Sequence, residues 1–448
     1  MPETSPQEQD GHEAKKHARR FWWVVTGTVA LLLGLIAYVI FGYDCAPPED
    51  AWLIPEPFAG ANGLDSISEL TKKDKAAFET ADRERGKLPE AVRKVENGHL
   101  EEAQAFLAKH RVIMEDLDAF LAANQGPLPY PGGDEMISFS SDAGYLNVLQ
   151  MGANLMAMRG RVLSLEGHVQ ESVDQSLILL RVGWQLSRKG GFLIHWLVAI
   201  TIQQIGRVTL EYTANLHPFD NATLSRIEKT LVATEINPRD FKETMKVEYI
   251  AFKHTFASTK VSRSEFRSMN FPGWAALTVK PNLTLTTMLE LQRPVFDACD
   301  TSWHDAYAMA QIVYGKFAER QEHPMQRYLS TNIGGNMLLA EIWQPMEILY
   351  EKSVRNAAFH RLLVLMLALR RFEINESSLP ENLQELCPKY LPSVPLDPYD
   401  NSPMRWNSKT KVVYSIGKDL KDDGGSVSTP YVSKDKDVGS VYWWRGAK

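Results

Sequence analysis

Apolar and polar positions alternate in three different rhythms along the chain, and the first is the simplest. From Phe21 to Tyr43 no charged residue interrupts 23 positions. At about 1.5 Å per helical residue, such a run crosses roughly 30 Å of hydrocarbon. Lys15, Lys16, Arg19 and Arg20 precede it, whereas Asp44, Glu49, Asp50 and Glu56 follow, with no Lys or Arg before Lys72. The basic flank predicts a cytoplasmic N-terminus, a single pass through the inner membrane and export of everything beyond. Trp22, Trp23 and Tyr43 stand at the ends of the run, where amphipathic rings favour the headgroup layer. A cleaved signal peptide has a shorter apolar core and a small-x-small site. Here the run closes on Phe41-Gly42-Tyr43-Asp44, without such a site and without a lipoprotein box before Cys45, so the segment reads as an uncleaved anchor.

The second rhythm is helical. Residues 1–20 are polar and predict a disordered cytoplasmic tail. Residues 44–66 carry Pro47, Pro48, Pro55 and Pro57 and predict an extended spacer. From 67 to 353 helices dominate. Leu88 to Asn124 has Pro89 near its start and Ala and Leu at helical spacing, and stops at Gln125-Gly126-Pro127, reading as a first helical pair. Leu155, Met158, Val162 and Leu165 share a face, Gly167-His168 breaks the pattern, and Val169 to Arg188 supplies an antiparallel partner. The Gly-His turn of LEGHVQES (165–172) repeats that of ENGHLEEA (96–103) at a separation of 69 residues, twice the period of about 34 of tetratricopeptide-like pairs. A helical-hairpin block follows from this pattern. The run FLIHWLVAITI after Phe192 is too short to span a bilayer and reads as a core helix, with His195 a core histidine. Asn221-Ala222-Thr223 and Asn237-Pro238 start further helices. The irregular stretch 262–282 interleaves Phe266, Phe271 and Trp274 with Arg263, Arg267 and Lys280; it fits either a docking loop or aromatic plugs for the adjacent core.

A third rhythm begins at Val354. Val354, Ala358, Leu362, Leu365, Leu369 and Phe372 form one apolar stripe, with Arg355, Arg361, Arg370 and Arg371 off it. The helix should end near Asn375. Leu379-Pro380, Tyr390-Leu391 and Pro395-Leu396-Asp397-Pro398 follow, then short β-type runs around Met404-Arg405-Trp406 and Val412-Val413-Tyr414-Ser415. Val441 to Arg445 reads as a last strand. The expected class is therefore mainly α, with an anchor helix (21–43), a helical domain (67–353) and a small α+β module with an antiparallel sheet (354–448).

The ordered motifs from Val354 to Gly425 resemble the soluble end of the major pseudopilins of type II secretion. That resemblance implies a helix wrapped by a small sheet and a calcium ion in the last loop, here Gly417 to Gly425. Ser415, Asp419, Asp422 and Asp423, with Asp437 downstream, are the implied ligands. On the residues themselves, Gly424 and Gly425 permit the tight curl that six to eight oxygens around calcium require. Lys418 and Lys421 weaken the charge, so a solvated acidic turn stands as the other reading. The anchor lacks the prepilin processing motif Gly-Phe-Thr-Leu-Ile-Glu, and some 300 helical residues separate it from the module. The whole arrangement resembles membrane-anchored exported proteins of planctomycete-type bacteria, which lends a compartment and an architecture.

Composition narrows the rest. A net charge of −6 argues against nucleic acid, which requires a basic face. Cys45, Cys299 and Cys387 form no metal-type spacing; a Cys299–Cys387 bridge is permitted outside the cytoplasm. No nucleophile-base-orienter set, metal cluster or phosphate loop stands out. The expected function is an exported helical scaffold that contacts a partner in the cell envelope. Its rivals are a hydrolase whose site is assembled from distant residues, for instance around His195 or His304, and an accessory of a secretion machine.

Overall fold

A computed structural model of the chain describes residues 23–38, 44–53, 100–123, 144–188, 191–258, 263–322, 330–425 and 438–441, with scattered positions such as Gly42, Glu84 and Val95. The tail 1–20, the turn at Gly98-His99, most of the spacer, and Asp437 lie outside the described residues. The fold is mainly helical, with a small antiparallel sheet near the C-terminus. In chain order the helices are α1 (Trp23–Ala37), α2 (Leu100–Lys109), α3 (Arg111–Ala123), α4 (Gly144–Leu165), α5 (Val169–Ser187), α6 (Leu193–Leu216), α7 (Asn221–Ala233), α8 (Pro238–Ser258), α9 (Arg263–Ser268), α10 (Pro281–Cys299), α11 (Trp303–Glu322) and α12 (Ile333–Glu376). The chain forms two compact units, one from residues 1–49, 256–290 and 316–343 and a larger one from 50–255, 291–315 and 344–448.

In the larger unit, the hairpin expected at Gly167-His168 is present: Gly167 adopts φ +84° between α4 and α5. Within the helical stretch that ends near Ala123, a turn at His110 separates α2 from α3. His110 is buried there beside Glu84, its Nε2 3.2 Å from the carboxylate. Helices α4, α5 and α6 form the centre. Phe120, Leu149, Leu179, Leu186, Ala199 and Ile202 belong to one apolar cluster between them and their neighbours. The approach of α5 to α6 depends on two glycines. A Cβ on Gly183 would lie 2.6 Å from the Ala199 carbonyl oxygen, and one on Gly206 would lie 3.1 Å from that of Ser176.

Helix α6 is 24 residues long and, by length and composition, apolar enough to cross a membrane. Its fate is packing: 61% of that window is buried inside the protein. The core-helix reading of FLIHWLVAITI therefore describes what the run does, although the helix extends well beyond it. His195 is buried, and desolvation pulls its imidazole down to about 4, so it is neutral at pH 7. Trp196, Phe241, Tyr350 and Trp303 make a second aromatic centre, with Phe241 and Tyr350 edge to face at 4.7 Å. All three cysteines are free, so the permitted Cys299–Cys387 bridge is not formed; burial pushes the Cys299 thiol up to about 12.

Helix α12 runs unbroken for 44 residues and passes through residue 354 without interruption. Of the predicted stripe, Val354, Ala358, Leu362, Leu365 and Leu369 are fully buried, and Phe372 is half-buried. The off-stripe arginines pair with carboxylates: Arg355 with Glu351, Arg361 with Glu235, Arg370 with Glu373 and Arg371 with Glu228. After the helix, the chain doubles back along it. The Tyr390 ring packs on Phe372 at 5.5 Å, and its hydroxyl donates to Glu376. A one-turn 3-10 helix, Leu383–Leu386, is closed by an Asn382/Glu385 capping box. The strands β1 (Arg405–Asn407), β2 (Val412–Ser415) and β3 (Val438–Val441) form one antiparallel sheet in that order.

In the smaller unit, the start of the predicted spacer is held in place. Asp44 accepts the backbone amides of Asn282 (2.9 Å) and Leu283 (3.0 Å), and Asn282 Nδ2 donates to the Cys45 carbonyl (2.8 Å). The loop 262–282 also has structure of its own, namely α9 and a 3-10 helix, Gly273–Thr278. Phe266 is fully buried with Ala275, Ile333 and Met337, and Phe271 packs against this cluster.

Two measurements test this account. Gly183→Ala overpacks the α5/α6 contact and should cost about 2 kcal/mol, read as a lowered denaturation midpoint; an unchanged midpoint contradicts the close approach. Glu248 is buried at the start of α6, accepts the Leu193 amide at 3.2 Å, and is pushed up to about 7 by burial. A raised carboxyl pKa gives stability that is complete below the unfolded value of about 4.5 and lost as pH rises towards 7. Glu248→Gln should remove that loss, so the variant gains on the wild type by at most about 3 kcal/mol between pH 5 and pH 8.

Candidate functional site

The predicted ligand residues are distributed by the sheet. Asp397, in the Pro395-Leu396-Asp397-Pro398 turn, is fully buried. Its Oδ1 accepts the Tyr399 amide (3.0 Å) and the Ser415 hydroxyl (2.8 Å), and its Oδ2 accepts the Ile416 amide (3.0 Å) and Arg405 Nη1 (3.1 Å). Burial pushes this carboxyl above its ordinary value, against four donors that favour the ionised form. Arg405 is the common partner: Nη2 meets Asp400 at 2.6 Å and Nε meets Asp422 at 3.2 Å. Asp422 also accepts the Tyr414 hydroxyl (3.1 Å) and the Gly424 amide (2.9 Å). Asp419 accepts the Lys421 amide, and Asp423 is exposed.

Thus Ser415 turns inward to Asp397 rather than towards Asp419 and Asp423, and Asp422 faces a guanidinium. Among the described residues, no group of three or more His, Cys, Asp or Glu is placed to hold a metal ion. The donor set does not fit the calcium ion that the pseudopilin resemblance implies, because Arg405 already supplies the positive charge between Asp397, Asp400 and Asp422. Sequence reading overlooked Asp397 and Arg405. Their signal was present: an Asp-Pro in a Pro-rich turn eight residues before the single basic position of a short strand.

The second candidate is a cavity of about 730 Å³ within the larger unit. Its walls come from the C-terminal end of α7, the N-terminus of α11, Arg361 and Val364 of α12, and the Leu391 to Asn401 turn. Pro392, Pro395, Pro398, Leu391 and Leu396 give it an apolar side, and Val232 and Leu396 are exposed at 64% and 43%. The polar side carries Glu228, Glu235, His304 and Asp305. These four acid-base groups lie around one space, as the hydrolase alternative demands, and each is engaged. Glu235 pairs with Arg361 Nε at 2.8 Å, and Arg361 Nη1 donates to the Leu396 carbonyl at 2.7 Å. Glu228 pairs with Arg371.

Asp305 accepts both the Thr301 and Ser302 hydroxyls, which hold its carboxyl below the ordinary range. Ser302 in turn caps α11 by accepting the Asp305 amide at 3.0 Å. His304 Nδ1 lies 2.6 Å from the Tyr399 carbonyl. Since a carbonyl only accepts, Nδ1 carries a proton in this contact. A general acid or base works best with a pKa near the operating pH and a proton within reach. Glu235 and Glu228 are tied to arginines, and Asp305 is shifted away from neutrality. Of the three carboxylates around the cavity, Glu235 and Glu228 are thus balanced by Arg361 and Arg371, and Asp305 and His304 complete its polar side.

His195 and His304, suggested together as possible anchors of chemistry, serve different places: His195 is closed inside the α6 core, and His304 lines the cavity. No family model matches the chain, and comparison with curated proteins and with solved structures returns no significant match.

Arg405→Gln leaves Asp397 buried without its cation and should lower stability by about 3 kcal/mol, read by chemical denaturation. A loss below about 1 kcal/mol, the range of exposed pairs, would show that the pair is screened. With Arg405 in place, melting curves recorded with calcium and with a chelator should superimpose; a rise with calcium would restore the ion-binding reading of Asp419, Asp422 and Asp423.

Proposed function

We propose that the protein is a single-pass inner-membrane protein, anchored through residues 21–43 with its N-terminus in the cytoplasm, whose exported part binds a partner in the cell envelope rather than catalysing a reaction. The anchor reading is supported by α1, whose Leu31, Leu33 and Leu35 are exposed at 77%, 60% and 59%. Side chains so apolar and so open to their surroundings belong in lipid. The basic residues before the run and the acidic ones after it set its direction.

The binding reading rests on the cavity beneath the Leu391 to Asn401 turn. Its volume suits an inserted group of ordinary size. Its apolar prolines and leucines and its engaged carboxylates favour a segment of a partner protein that inserts an apolar side chain next to a Lys or Arg. The hydrolase alternative draws on the same His304 and Asp305, and the ion pairs around them weigh against it. A secretion accessory would be one form of such a partner-binding protein.

A photo-crosslinking amino acid placed at Val232, on the rim, should give a discrete adduct in intact cells. The same group at Ile312, an exposed apolar position of α11 away from the cavity lining, should not. Adducts from both positions, or from neither, overturn the cavity as the binding site. Turnover of a substrate that disappears in a folded His304→Ala variant would favour the hydrolase instead. Protease added to spheroplasts should remove the large C-terminal part, and protection until lysis would reverse the topology.

A further inference from the structure

The irregular stretch 262–282 divides its aromatic residues between two environments. Phe266 is completely buried and Phe271 packs on it, so these two are core residues of the smaller unit. Trp274 and Leu277 are 46% and 48% exposed. They lie three residues apart in the 3-10 helix Gly273–Thr278, and in that geometry positions i and i+3 fall on the same side. Ala275 and Thr278 face inward, where Thr278 Oγ1 accepts the Gly334 amide at 2.8 Å. Lys280 follows with its amide bound to Asn332 Oδ1 at 2.9 Å. The outward pair is therefore presented by a backbone fixed on both sides.

The position of that pair relative to the anchor is restricted by covalent geometry. Asp44, the first residue past the uncharged run, caps α10 through Asn282 and Leu283, and Cys45 Sγ lies 3.8 Å from Thr286 Oγ1. The 3-10 helix ends at Thr278, four residues before Asn282. At about 2 Å per residue within the 3-10 helix and at most about 3.5 Å beyond it, Trp274 stands no more than roughly 22 Å of chain from Asn282, whose amide Asp44 holds.

We propose that Trp274 and Leu277 insert into the outward-facing leaflet of the same bilayer that the anchor spans, forming a second membrane contact. This rests on the anchor reading given above. The chemistry agrees with a lipid occupant. Tryptophan favours the headgroup boundary, leucine the acyl region just beneath, and the exposed Arg267 of the preceding helix suits anionic headgroups.

The test uses the full chain in vesicles of phosphatidylcholine and phosphatidylglycerol that include a phosphatidylcholine with a diazirine near the ester end of one acyl chain. After irradiation, adducts are mapped by mass spectrometry. The peptide containing Trp274 and Leu277 should be labelled several-fold above the peptide containing Ile312, and the anchor peptide should be labelled as well. The Trp274→Glu/Leu277→Glu variant should lose the former and keep the latter, with its denaturation midpoint recorded to show that it is folded. Anchor labelling without labelling at 274–277 overturns the second contact and leaves the anchor intact. Labelling at neither place overturns both readings. Equal labelling at Ile312, or labelling at 274–277 that survives in the folded double variant, shows non-specific contact and also overturns the proposal.

Discussion

One buried chain of hydrogen bonds fixes the register of the larger unit. Arg207 donates to Asn356 Oδ1 at 2.6 Å, Asn356 Nδ2 donates to Gln203 Oε1 at 3.1 Å, and Gln203 Nε2 reaches the Thr234 carbonyl at 2.7 Å. Four side chains and backbone groups thereby join α6, α12 and the end of α7 in the interior. Hydrophobic surfaces of helices can slide past one another at modest cost, whereas a polar group that loses its partner in a dry core costs about 1–3 kcal/mol. His360 adds a further link, with Nε2 2.6 Å from the Leu231 carbonyl, and burial draws its pKa down to about 4, so it remains a neutral donor. The stripe on α12 supplies area; these polar groups decide where that area sits.

The same logic recurs at the surface of the module, where positive charge is placed inside groups of carboxylates. Arg405 stands among Asp397, Asp400 and Asp422, and Arg361 ties Glu235 to the backbone of the turn that roofs the cavity. Guanidinium groups suit this use because their donors are planar and numerous and their charge does not titrate near neutral pH.

Much of the architecture was legible in the residues. The Gly167-His168 hairpin, the α12 stripe, its end near residue 376 and the short strands after it all follow from periodicity and turn chemistry. What escaped was long-range. No local pattern shows that His110, at the turn between α2 and α3, lies against Glu84, 26 residues earlier. The acidic loop illustrates the limit of motif reading. Asp419, Asp422 and Asp423 are close in sequence, but only Asp422 meets an arginine from one strand and a tyrosine from another, and those set its chemistry. The cavity was equally hidden, since α7, α11, α12 and the proline-rich turn contribute to it from well-separated segments.

The carboxylate of Asp44 has a role that its position in the sequence conceals. It lies where an extended spacer was expected, and instead it closes the open end of α10 by taking two of the amides left over in the first turn. A version of the chain that starts after Cys45 therefore loses more than the residues ahead of it, because that helix end is left uncapped.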